Sequence, residues 1–224
     1  MRTKILLTAA AAMVAGLVSS NAQVYSANVV GYANVICVGN TGAGTGYSLI
    51  ANPFDDGNAN QLTNVLPANL FANKSQLITW NAGSGKYNTA IVKGAAGWPS
   101  SVSLPPGTGF FVFNSSATPV TNTFVGSVVV NINASTTNTL PGGSSLVASA
   151  IPYADDIQTS TNINLFLVAN KSQLISWNTS AQKYNTAVVK GAGGWGASFP
   201  VTVGQGFFFS TAQAGSNWVE TLNP

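Results

Sequence analysis

The ten residues ANKSQLITWN at 72–81 recur as ANKSQLISWN at 169–178, with one Thr exchanged for Ser. The match runs without a gap from Ala72–Phe113 onto Ala169–Ser210, at a constant offset of 97 positions, and 25 of the 42 residues are identical. Self-similarity on this scale marks a copied structural unit, so the chain is expected to build one architecture twice. Upstream, YSLIANPFDD from Tyr47 answers SSLVASAIPYADD from Ser144, with three extra residues in the second copy. Downstream, NTFVGSV ending at Val128 answers WVETLN ending at Asn223. Each unit is then about 80 residues, enough for a modest core.

Inside a unit the apolar segments are short, rich in Val, Ile, Thr and aromatics, and bounded by Gly, Pro, Asn and Ser. The expected fold class is all-β: two tandem homologous units, sandwich or barrel-like, in a pseudo-symmetric arrangement. SLIAN, QLITWN, KYNTAIVK, GFFVF and NTFVGSVVV are the expected strands of the first copy, with NAGSGK at 81–86 as a hairpin turn. One helical candidate interrupts them, NANQLTNVLPANLF, which Asn60 would cap and Pro67 would stop. The expected organisation is a leader at 1–22, an N-terminal strand segment at 23–46, unit 1 at 47–128, a polar linker at 129–143 and unit 2 at 144–224.

The leader is read from Arg2 and Lys4 ahead of an apolar run from Ile5 to Val18, followed by Ser20 and Ala22 in a small-x-small cleavage site before Gln23. That run is short for a bilayer span, and none is expected after signal removal. The protein is accordingly placed outside the cytoplasmic membrane, secreted, on the outer surface or in the periplasm. Removing the leader takes both of its cations, so six Lys against five acids leave +1. With no Arg left and the lysines spread in two sets of three, the dense basic patch that a phosphate backbone requires is missing, which argues against nucleic acid. Cys37 is the sole cysteine and ends an alternating apolar face, Tyr25, Ala27, Val29, Gly31, Ala33 and Val35. A buried small hydrophobe is one reading of it, an intermolecular disulfide the other.

The order of VYSANVVGYANV, YSLIANPF, LITWN with KYN, PGTGFFVF and the closing NWVETLN resembles a family of secreted proteins abundant in Verrucomicrobia and related bacteria. The resemblance covers almost the whole mature chain. It implies a secreted all-β protein and carries over no catalytic residue.

Chemistry-bearing residues are scarce. The chain has no His, which excludes Ser-His-Asp and Cys-His nucleophiles and, with no second Cys either, nearly excludes zinc. Its acids are Asp55, Asp56, Asp155, Asp156 and Glu220. DDGNAN places Asp56, Asn58 and Asn60 at alternate positions as in a calcium loop, yet Pro67 stands where the closing Glu belongs, so a polar turn is expected instead. No catalytic residue, metal or cofactor is assigned. The matched lysines Lys74/Lys171, Lys86/Lys183 and Lys93/Lys190 have two readings. A desolvated Lys beside Asn and a carboxylic acid can form an isopeptide crosslink; otherwise the lysines guard strand ends and sheet edges. Trp98 and Trp195, each in a glycine-rich loop, are either core residues or, with Tyr87 and Tyr184, stacking platforms for sugar rings. Trp80 and Trp177 lie within strands and are expected in the core.

These features point first to a secreted, non-catalytic structural, adhesion or matrix protein whose partner is itself or extracellular polysaccharide. A carbohydrate-binding protein using loop aromatics is the second reading and a hydrolase the third.

Overall fold

The computed structural model describes residues 30–99, 101–213 and 215–223; the leader at 1–22 and the start of the segment 23–46 lie outside them. The described chain is all-β. Its first half holds β1 (Val30–Cys37), β2 (Tyr47–Ala51), the single turn α1 (Leu62–Val65), β3 (Gln76–Ile78), β4 (Trp80–Asn81), β5 (Lys86–Tyr87), β6 (Ile91–Val92), β7 (Gly109–Phe113) and β8 (Val120–Ser127). The second half holds β9 (Ser135–Leu140), β10 (Gly143–Val147), β11 (Asp155–Asp156), β12 (Gln173–Ile175), β13 (Trp177–Asn178), β14 (Lys183–Tyr184), β15 (Val188–Gly191), β16 (Gly194–Trp195), β17 (Pro200–Val201), β18 (Phe207–Thr211) and β19 (Ser216–Thr221).

Strand order repeats between the halves. The first sheet runs β2-β7-β3-β6 and the second β10-β18-β12-β15-β16. A two-stranded antiparallel ribbon accompanies each, β1 with β8 and β9 with β19, and a small hairpin extends each, β4–β5 and β13–β14. The hairpin expected at NAGSGK is therefore present, and Asn81 organises it: its Oδ1 accepts from Ser84 N at 3.0 Å and its carbonyl from Gly85 N at 2.9 Å.

Period-2 alternation explains why strands such as GFFVF are apolar throughout. Phe110 and Val112 of β7 enter a core with Ile50, Leu77, Leu104 and Phe124, while Phe111 between them points the other way. In β18, Phe207 and Phe209 join a second core with Val147, Leu174 and Trp218, and Phe208 points away. Phe111 and Phe208 meet, with Leu49 and Leu146, in a third, smaller cluster at the seam between the halves.

Backbone bonds cross this seam in reciprocal pairs. Ala51 N donates to Gly204 O at 2.9 Å, and Ala148 N to Gly107 O at 3.0 Å, with both residues moved by 97. Likewise Ile50 bridges Gln205, and Val147 bridges Thr108. The outer edges of β2 and β10 are thereby partly covered by the opposite half, which limits their pairing with other chains. The glycines of PGTGF and VGQGF make the approach possible: a Cβ on Gly109 would lie 2.9 Å from Val147 O, and one on Gly206 would lie 3.0 Å from Ile50 O.

Two expectations change, and the open reading of Cys37 is decided. The segment 129–143, read as a linker, contains β9, which pairs along its full length with β19 and buries Leu140 in the second core. Its strand character is hidden by polar composition, because alternate residues of β9 are exposed, the rest are only partly buried before Leu140, and the β-branched residues that suit it are threonines. The strand segment at 23–46 joins the first half through β1 and β8 and buries Cys37, whose thiol burial pushes up to about 12. A buried small hydrophobe is thus what Cys37 is, and it offers no surface thiol for a disulfide. Finally, α1 is one turn long, with Gln61 at its N-cap and no side-chain cap bond. Asn60 is buried instead, its Oδ1 accepting from Asn52 Nδ2 and Asp56 N, both at 3.0 Å. Among the described residues no helix is long and apolar enough to cross a membrane.

Candidate functional site: an aromatic seam and its grooves

The duplicated block earns its conservation between the copies through tasks performed twice. Lys74 and Lys171 both take positive φ, 71° and 70°, and each donates its backbone N–H to the carbonyl of the third matched lysine of its copy, Lys93 or Lys190. Those two lysines are buried, and the Nζ of Lys93 donates to Asn73 Oδ1 at 3.1 Å and to Gly94 O at 3.3 Å. Lys190 Nζ donates to Asn170 Oδ1 at 3.4 Å. Ser75 and Ser172 are buried, as are Leu77 and Leu174 beneath the sheets. Lys and Asn therefore meet in both copies, and the contacts around each ammonium come from amide oxygens rather than a carboxylic acid.

Strand parity carries the end of the same block to the seam. Leu77 points into the core, so Ile78 and, beyond Thr79, Trp80 face the other half. Trp80 Nε1 donates to Ser144 O at 2.6 Å, and Trp177 Nε1 donates to Tyr47 O at 3.1 Å. Each indole meets the opposite half's phenylalanine edge-on, Trp80 with Phe208 at 4.9 Å and Trp177 with Phe111 at 5.1 Å. Tyr87 packs edge-on against Trp80 at 4.9 Å and Tyr184 against Trp177 at 5.0 Å. The two phenols hydrogen-bond each other across the seam. Partial burial holds both hydroxyls above their ordinary pKa, and for Tyr184 the bond to Tyr87 adds to the rise.

The seam departs from reciprocity at two positions, and there it opens. Tyr47 stands where the second copy has Ser144, and Gln182 where the first has Gly85. Gln182, at φ 50°, clamps the Tyr47 peptide: its Oε1 accepts from Tyr47 N and its Nε2 donates to Tyr47 O, both at 2.9 Å. Tyr47, Ile78, Tyr87, Phe111, Trp177 and Tyr184 line a cleft of about 280 Å³ with Gly44 at its rim.

Two further grooves flank the seam and share one construction. One, of about 360 Å³, is lined by Trp177, Thr179, Asn34, Ser48 and Gln205 among others. The other, of about 200 Å³, is lined by Trp80, Ala82, Asn138, Ser145 and Thr108 among others. Trp, the hairpin residue, Ser and the loop residue interconvert by the offset of 97, while β1 and β9 supply the Asn.

The sequence-derived stacking residues separate into two pairs. Tyr87 and Tyr184 are 45% and 38% exposed and sit together at the seam. Trp98 and Trp195 are corrected as platforms: at 8% and 4% exposure they have no open ring face. Trp98 Nε1 donates to Leu66 O at 2.8 Å and its ring packs against Phe71, while Trp195 Nε1 finds no partner among the described residues. Trp80 and Trp177, expected in the core, are half-buried and line the grooves. The signal available for them was QLITW itself, where apolar residues on both strand faces announce two-sided packing.

The carboxylates are engaged in their own turns. Asp56 Oδ1 accepts from Asn58 N and Asn60 N, both at 2.8 Å, and its Oδ2 from Asn64 Nδ2 at 3.1 Å. Burial raises its pKa, but these donors together outweigh that and hold it below the usual carboxylate value. Asp156 is likewise lowered, with burial overcome by Ser198 and the N–H groups of Gln158 and Phe199. Asp55 accepts from Gly57 N and Asn60 Nδ2, and Asp155 from Asp156 N. Asp55 Oδ1, both carboxylate oxygens of Asp56 and Asn60 Oδ1 thus accept from N–H donors in and around a polar turn. Glu220 is fully buried and accepts from Ser149 Oγ at 2.6 Å and Ala150 N at 2.8 Å.

Compared with protein families, curated proteins and solved structures, the chain matches none.

Proposed function

We propose that the protein is a secreted, non-catalytic structural or adhesive protein of the bacterial cell surface, built from two homologous units packed as a pseudo-symmetric pair. The observation that carries this reading is the use of all five carboxylates as acceptors for turn and strand donors, in a chain without His. General acid-base chemistry needs a group free to exchange a proton with a substrate, and each acid is committed to a local fold. The reciprocal seam supports the paired arrangement, since residue i contacts j and j contacts i across an isologous interface. A surface for adhesion is supplied by the outer face of β1 and β8, where Tyr32 lies opposite Val125 and both are exposed, flanked by exposed Val30 and Ile36.

Mass spectrometry of the native protein tests the location: it should begin at Gln23 and appear outside the cytoplasmic membrane, and an intact Met1–Ala22 segment in that membrane would reject export. A panel of glycosides, esters and peptides tests the rest. No turnover is expected, and turnover abolished by Asp55→Ala or Asp155→Ala would overturn the reading.

A further inference from the structure

We propose that the two grooves flanking the seam are equivalent sites for an uncharged saccharide, so that one chain carries two sites for a neutral polysaccharide. This rests on the reading of the protein as a surface protein and gives its adhesion a ligand. The argument begins with what each groove presents. An indole forms one wall, Trp177 or Trp80, held in place by the hydrogen bond from its Nε1 to the opposite half. Around it stand hydroxyls and carboxamides: Asn34, Ser48 and Gln205 in one, Asn138, Thr139 and Ser145 in the other. The side chains lining both grooves are uncharged. A pyranose has an apolar C–H face that stacks on an indole and a rim of hydroxyls that needs neutral donors and acceptors. An acidic sugar or a phosphate would find no cation here, and a purely apolar ligand would leave the amides and hydroxyls without partners. By the same logic the central cleft, lined almost wholly by aromatic rings whose phenols bond each other, is the poorer place for a sugar.

One polar group in the second groove lacks a partner. Ser145 is buried and its Oγ makes no hydrogen bond among the described residues. Its counterpart Ser48 accepts from Val38 N at 3.1 Å, just after β1. Pro141 follows β9 in the corresponding place and has no N–H to give. With the Ser145 side chain turned from its buried position toward the groove, a hydroxylated ligand at that wall supplies what the proline cannot.

Duplication gives the proposal its test, because two linked sites bind a polymer far better than either alone. The mature protein is run by affinity electrophoresis in gels containing mixed-linkage β-glucan, xylan, galactomannan or, as the acidic comparator, alginate. Retention by at least one neutral polymer and none by alginate is expected. Ala82→Arg and Thr179→Arg place a bulky cation from each hairpin at the groove it lines; each alone should weaken retention about tenfold or more, and together they should abolish it. Melting temperature is followed throughout. If the double variant unfolds, Asn34→Arg with Thr139→Arg, at exposed strand positions on the two grooves, carries the same expectation. No retention by any neutral polymer, or undiminished retention by a folded double variant, overturns the proposal. Absent retention by a protein that still localises to the cell surface removes the grooves and leaves the structural reading. Hydrolysis of a retained polymer does the reverse.

Discussion

Glu220 should make the protein less stable as pH rises through the neutral range. Its carboxyl is enclosed between β19 and the segment after β10, and burial pushes its pKa from 4.5 to about 7, with the donors Ser149 Oγ and Ala150 N only partly offsetting that rise. The native state thus keeps a proton that the unfolded chain has released between those two values. Stability is fully present below the unfolded pKa, falls as pH climbs from 4.5 towards 7, and levels above it. A shift of this size corresponds to about 3 kcal/mol. The local network also serves the neutral acid: when the carboxyl is protonated, Ser149 Oγ turns its single donor from Glu220 to Ile151 O, 2.7 Å away, and accepts the carboxyl proton. Glu220→Gln reproduces that arrangement at every pH. Urea unfolding between pH 4.5 and 8 should show wild-type stability dropping by about 3 kcal/mol relative to the Gln variant, with the two similar at the acid end. Parallel pH profiles for the two proteins would refute the reasoning.

Three more outcomes follow from the packing. Trp98→Phe should destabilise more than Trp195→Phe, by about 1 kcal/mol in urea, because the first leaves Leu66 O without its donor while the second removes a buried N–H that has no acceptor among the described residues. Gly109→Ala and Gly206→Ala should each cost about 1–3 kcal/mol by the same measurement, since a Cβ there meets the carbonyl of the opposite half. Cys37 should resist a thiol reagent in the native protein and react on unfolding, as followed by mass spectrometry, because its thiol is buried and holds its proton.

The β class was legible because apolar runs of strand length lie between Gly, Pro and Asn clusters, and GFFVF stands as β7 where the pattern puts it. Polar strands were not legible. STTNTL forms β9 because β19 offers it a ladder, not because its own residues demand burial. Trp98 and Trp195 read from sequence as either core or stacking platforms, because their flanking glycines suit a loop; tertiary packing folds GW back over the core and decides for the first. Trp80 and Trp177 were assigned to the wrong surroundings for a different reason. Strand parity fixes which face a residue takes, but a single sequence does not say that the second face meets the other copy rather than a sheet of its own.

The differences between the copies carry as much chemistry as the likeness. A perfectly repeated seam would place Ser at 47 and Gly at 182, and neither could form a wall. Tyr47 with Gln182 instead gives one side of the seam a ring and a two-point clamp on its peptide, and the aromatic cleft forms there. The clamp sets a side chain at a position of positive φ that Gly85 fills without strain in the first copy, so its two hydrogen bonds must offset a backbone cost of order 1 kcal/mol. Proline acts in the opposite direction on the second half, removing at Pro141 the donor that Val38 provides in the first and leaving Ser145, beside a groove, with no partner among the described residues. Duplication fixes the architecture and its two matched grooves, and substitutions at 47, 141 and 182 then make the halves unequal without disturbing the strands that join them.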